Sequence, residues 1–131
     1  MKLASKGLAH IGLRVTDLAR ARHFYVDTLG FELLLELPDL MACNAYGLTI
    51  AFRGNATQTH ADDRFDPYRV GLDHVALGVP SANELEEMKR QLDLAGVPNN
   101  GVEQETMMPI SYISFYDPDG IAWELYETPE R

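Results

Sequence analysis

The segment GLAHIGLRV at residues 7–15 returns as GLDHVALGV at residues 71–79, with Gly, Leu, His, Leu and Val in register. Gly7 and Gly71 stand 64 residues apart in a chain of 131. A repeat of that period calls for two copies of one supersecondary unit rather than one irregular domain.

After each copy the chain keeps the same order. TDLARARHFYVDTLG sets Leu18, Ala21, Phe24, Tyr25, Thr28 and Leu29 near helical spacing, between a Thr16/Asp17 cap and a Gly30 stop. PSANELEEMKRQLDLAGVP does the same with Leu85, Met88, Leu92 and Leu94 as its apolar face; Ser81 and Glu84 have capping-box spacing and Gly96 closes the helix. Each half then adds three strand-like runs: FELLLEL, MACNAYG and LTIAFRG in the first, VEQET, ISYISFY and IAWELYE in the second. Each half reads βαβββ. The expected fold class is α+β, one domain over 1–131 made of module 1 (5–54), a polar linker (55–70) and module 2 (71–128).

Side chains alternate across a strand, so Ile11, Leu13 and Val15 share one face and His10, Gly12 and Arg14 the other. The second copy splits the same way, Val75, Leu77 and Val79 against His74, Ala76 and Gly78. The apolar face suits burial under the helix, whereas the other presents a histidine beside a residue too small to fill a core. In the last strand, Glu124 falls mid-strand with Ala122 and Tyr126, opposite Ile121, Trp123 and Leu125. The matching strand of the first half has Ala51 at its centre, between Thr49 and Arg53. Two neutral imidazoles and one carboxylate, His10, His74 and Glu124, make a set able to hold a divalent metal with coordination positions left open. Thr49, Ala51, Arg53, Ser114 and Tyr126 are the candidate substrate-binding residues by strand parity, and Tyr112 and Tyr116 share the face of Ser114. His23 on the first helix and His60 in the linker are read as structural.

Composition narrows the partners. Twenty acidic residues against eleven basic give a net charge of −9, which repels nucleic acid. No apolar run reaches the length of a membrane span, and MKLASKGLAH lacks a signal-peptide core, so a cytoplasmic protein with no membrane partner is expected. Cys43 is the single cysteine, which rules out an intrachain disulfide and leaves a buried, reduced thiol as the expectation.

GLAHIGLRVTDLARARHFYVDTLGF, GLDHVALGVPS and SFYDPDGIAWELYE together resemble the vicinal oxygen chelate superfamily of glyoxalases, bleomycin-resistance proteins, fosfomycin-resistance transferases and extradiol dioxygenases. The resemblance spans nearly the whole chain. It implies paired βαβββ modules whose curled mixed sheets form a metal-lined cup, often completed by dimerisation, and hence a homodimer. It places the metal ligands at His10, at the position held here by Ala51, at His74 and at Glu124. In glyoxalase-like members the residue at the Ala51 place is commonly a glutamate that binds metal and shuttles the substrate proton; alanine does neither. The resemblance therefore turns toward the three-ligand His/His/Glu sites of the dioxygenases and fosfomycin transferases, and because dioxygenases usually carry a tyrosine near the metal it implies Tyr112 and Tyr116 as the candidate catalytic residues. EQETMMPISY lacks the lysine expected around a phosphonate, which argues against fosfomycin. The implied protein is an enzyme using Fe, Mn, Ni or Zn on a small molecule with vicinal oxygens, dioxygenase-like or a glyoxalase-related lyase. The alternative is a metal-free drug or metabolite binder of the bleomycin-resistance type.

Overall fold

The computed structural model describes residues 1–128. The chain falls into two compact units, Met1–Asp63 and Arg64–Arg131, and each carries one four-stranded mixed sheet that does not close into a barrel.

In the first unit, β1 (Ile11–Arg14), β2 (Glu32–Leu37), β3 (Leu40–Ala45) and β4 (Leu48–Arg53) lie in the order β1-β4-β3-β2. β1 runs parallel to β4, and the other pairs are antiparallel. Helix α1 (Leu18–Arg22) starts at Asp17, whose carboxylate accepts the Arg20 backbone N–H at 3.1 Å. The Thr16 hydroxyl accepts a hydrogen bond from the Arg20 guanidinium at 2.8 Å. The helix then widens into a π turn over His23–Thr28, closed by the Leu29 N–H on the Phe24 carbonyl at 2.9 Å. The wider turn brings Phe24 and Tyr25 both inward, and the Tyr25 ring centroid sits 4.2 Å from that of Phe52. Met41, Cys43, Ile50 and Phe52 form the buried face of the sheet. Each such side chain contributes about 1.5–3 kcal/mol by leaving water. Cys43 is fully buried, and burial pushes its thiol pKa up.

The second unit repeats the plan with β5 (Val75–Val79), β6 (Asn99–Gln104), β7 (Ser111–Tyr116) and β8 (Ala122–Glu127) in the order β5-β8-β7-β6. Helix α2 (Leu85–Leu94) ends where Gly96 turns to φ 70°. The Val97 N–H bonds back to the Leu92 carbonyl at 2.9 Å and the Gly96 N–H to that of Asp93 at 3.0 Å, a Schellman closure. Trp123 and Phe115 stack in the core, with Ile113, Leu85 and Leu92 buried as well. The DPDG turn between β7 and β8 is held by the buried Asp117, whose Oδ1 accepts the N–H groups of Asp119 (2.9 Å) and Ile121 (2.7 Å).

Three local expectations are corrected, and β2 departs from regular alternation. The repeated segments are not strands from end to end: the ladders begin at Ile11 and Val75, so His10 and His74 stand one residue ahead of their strands. Ser81 and Glu84 form no capping box: the Ser81 side chain makes no capping hydrogen bond, and a single 3₁₀ turn over Ala82–Glu84, with the Leu85 N–H on the Ala82 carbonyl, opens the helix. Leu94 is 74% exposed, on the solvent side of α2. In ELLLEL, regular alternation puts Leu33, Leu35 and Leu37 on one face, but a bulge between Leu33 and Leu35 separates them. Leu33 stays opposite the buried Cys43, while Leu35 and Leu37 turn to the open face opposite Ala42 and Leu40.

Among the described residues, no helix is long and apolar enough to cross a membrane.

Candidate metal centre

The register of each sheet shows which residues share its open face. In the second unit Ala76, Glu124 and Ser114 stand side by side across β5, β8 and β7, and Tyr126 pairs with Tyr112 in the next row. In the first unit Gly12, Ala51 and Ala42 form the matching row across β1, β4 and β3. Ala51 therefore occupies the place that Glu124 takes in the other sheet, since each pairs with the residue two beyond its module's histidine.

His74 and Glu124 come together. His74 Nε2 lies 3.4 Å from Glu124 Oε1, and its Nδ1 lies 2.7 Å from Asp73 Oδ1. A proton on Nδ1 donated to Asp73 leaves the Nε2 lone pair directed at a carboxylate oxygen. Two electron-pair donors then face each other across one gap, an arrangement that suits a cation between them. The Glu124 side chain is 16% exposed, and burial raises its carboxyl pKa; the His74 ring opposes that rise, while Glu105, Asp73 and Glu103 add to it.

The tyrosines of this face are engaged by acids. The Tyr112 hydroxyl donates to Glu103, its cross-strand neighbour, which with lesser contributions from burial and from nearby carboxylates pushes its pKa up to about 12. Tyr126 is also raised, first by burial and then by Glu105, with which it hydrogen-bonds. The two rings stack with centroids 6.1 Å apart. Tyr116 accepts a hydrogen bond from the Asn100 side chain at 3.0 Å.

In the first unit His10 is exposed at the entry to β1. Thr49 pairs with Asn44, and Arg53 ends β4 between Arg14 and Leu40. His23 contacts Asp27 at 3.2 Å on the surface, and His60 is exposed in the loop. Among the described residues, no three His, Cys, Asp or Glu side chains are grouped closely enough to hold a metal ion.

Asp73, Glu103 and Glu105 were not anticipated from the sequence. Asp73 had a signal, because it replaces the Ala9 of the first copy directly before the histidine. Glu103 and Glu105 alternate in VEQET, the parity that marks one face of a strand.

The model of the Glyoxalase/Bleomycin resistance protein/Dioxygenase superfamily matches residues 7–125, and the chain belongs to that superfamily. It is similar to YaeR of Escherichia coli (strain K12), 28% identical over 131 residues, covering 95% of this chain and 98% of that protein. It is similar also to YwkD of Bacillus subtilis (strain 168), 25% identical over 128 residues and covering 93% and 97%. Among solved structures, the glyoxalase family protein from Enterococcus faecalis is 25% identical with a TM-score of 0.80, covering 93% of this chain and 98% of that one.

Proposed function

We propose that the protein is a metal-dependent enzyme whose His10, His74 and Glu124 hold one divalent ion (Fe, Mn, Ni or Zn), and that it acts on a small molecule with vicinal oxygens. The reaction is dioxygenase-like or that of a glyoxalase-related lyase. The observation that carries the reading is the facing pair of His74 Nε2 and Glu124 Oε1, with the ring held from behind by Asp73. A metal bound there acts as a Lewis acid on the substrate oxygens.

The chain's own side chains have distinct tasks in this reading. Asp73 keeps His74 in the tautomer that offers Nε2. Ser114, beside Glu124, presents a hydroxyl to bound substrate, with Thr49 and Arg53 as polar contacts on the first sheet. Tyr112 and Tyr126 have their hydroxyl protons engaged by Glu103 and Glu105, so they orient substrate through their rings instead of relaying a proton. Tyr116 is the tyrosine whose hydroxyl accepts rather than gives in its hydrogen bond, and it is the better candidate for proton movement. Ala51 supplies no base, which favours chemistry that needs no proton shuttle from that position. The protein works in this reading as a cytoplasmic homodimer.

The test is elemental analysis of protein grown with each of the four metals, followed by calorimetric titration of Mn(II) and Zn(II) into wild type and into H10A, H74A and E124A. One bound ion per chain, lost in all three variants, supports the reading. Failure of any of these ions to load sinks it, and tight binding of a cationic glycopeptide without metal would put the binding-protein alternative in its place.

A further inference from the structure

Eleven basic residues serve a chain of net charge −9, and several are already matched to acids. Arg22 approaches Glu36, Lys89 pairs with Asp93, and Arg90 with Glu87. Arg14 and Arg53 are different. They are direct neighbours in the parallel β1–β4 ladder, both exposed on the open face of the first sheet. Like charges side by side on adjacent strands oppose pairing. Yet no carboxylate among the described residues contacts either guanidinium: Arg14 donates to the Thr59 hydroxyl at 3.3 Å, and Arg53 has no side-chain partner among them.

The surroundings have a matching character. The row beside the arginines, Gly12, Ala51 and Ala42, carries only small side chains, and a Cβ at Gly12 would meet nothing within 4 Å. The bulge in β2 turns Leu35 and Leu37 onto this same face, about half exposed, next to Ala42 and Leu40. The face thus joins a floor of small side chains, an apolar flank and two forked cations with no counter-charge. Guanidinium forks match the oxygens of carboxylate and phosphate.

We propose that Arg14 and Arg53 form an oxyanion-binding subsite on the open face of the first sheet, and that the enzyme's substrate carries a carboxylate or phosphate on an apolar body. The substrate class rests on the metal-enzyme reading, through His10. His10 leads into the strand that carries Arg14, four residues earlier and about 13 Å away along an extended chain. A small molecule with an oxygen pair at one end and an acid group at the other fits that span.

The probes are benzoate, phenyl phosphate, benzyl alcohol and benzylammonium, titrated into the full chain by NMR, first after EDTA treatment and then with Mn(II) loaded. Charge-assisted hydrogen bonding predicts that benzoate or phenyl phosphate binds the metal-free protein about tenfold more tightly than benzyl alcohol. R14Q and R53Q, both surface changes whose folding is checked by circular dichroism, should each abolish that preference. The stronger of the two anions identifies the acid group. Equal binding of benzoate and benzyl alcohol, tighter binding of benzylammonium, or an anion preference that survives in R14Q/R53Q overturns the subsite. The Mn(II) arm compares 4-(3,4-dihydroxyphenyl)butanoate, whose acid group stands at the far end of the molecule from its hydroxyl pair, with catechol. Tighter binding of the acid, dependent on both metal and Arg53, supports the substrate class. An anion preference in the metal-free protein with no gain on adding Mn(II) keeps the subsite and removes the substrate half along with the metal-enzyme reading.

Discussion

Asp73 Oδ1 holds Nδ1 of His74 at 2.7 Å, and the opposite ring nitrogen is thereby aimed at Glu124, 3.4 Å away. Asp73 acts through His74 and touches neither the gap nor the sheet core; its side chain is 75% exposed. D73A should therefore leave thermal stability nearly unchanged while weakening Mn(II) or Zn(II) binding about 10–100-fold, the usual cost of losing such an orienting carboxylate. Calorimetric titration beside a thermal melt checks both halves.

Ala51 stands beside Gly12 as Glu124 stands beside Ala76. A51E places a carboxylate at that register position with only Gly12 and Ala42 as cross-strand neighbours, so there is room for it. Metal affinity should rise about tenfold or more, since a charged fourth oxygen ligand adds a strong interaction. An unchanged affinity in folded A51E would show that this position does not face the ion.

Tyr112 titrates far above its ordinary range because its hydroxyl donates to Glu103, an interaction that exists in the protonated form alone. With a folded pKa of about 12 against the ordinary 10.0, the stabilisation is complete below pH 10 and is lost as the pH rises from 10 towards 12. Wild type should lose stability through that window more steeply than Y112F, and E103Q should bring the tyrosinate absorbance step back towards 10. Because Tyr112 stays protonated at neutral pH, Y112F should not alter the shape of any activity profile between about pH 6 and 9.

Asp117 is predicted to matter for stability and not for metal binding. Its Oδ1 satisfies two backbone N–H groups in a buried turn. D117A leaves both without that acceptor and should cost about 2–4 kcal/mol in urea unfolding, with the residual folded protein binding metal as wild type does.

The module plan was legible because it is written twice. The two histidine segments, the Gly30 and Gly96 stops and the six strand runs all carry local signals, and the strand register puts Ala51 and Glu124 at equivalent places. The features that escaped reading depend on hydrogen bonding that composition does not encode. HFYVDT looks like ordinary helix, yet an i→i−5 bond from Leu29 to Phe24 widens it. ELLLEL looks like regular alternation, yet one extra residue sends Leu35 to the other face. Ser81 has the spacing of a cap, but its side chain makes no capping hydrogen bond to the 3₁₀ turn that opens the helix. The acids behind the site, Asp73, Glu103 and Glu105, became visible once β6 was paired with β7 and the His74 ring was oriented.

The β2 bulge has a twin. Across Cys43 to Met41 the facing strand advances from Leu33 to Glu36, and across the equivalent Phe115 to Ile113 it advances from Asn99 to Val102, one extra residue each time. The two sheets therefore bend at the same register, so the modules agree in backbone geometry at the very strands beside which they part in chemistry, alanine at 51 and glutamate at 124.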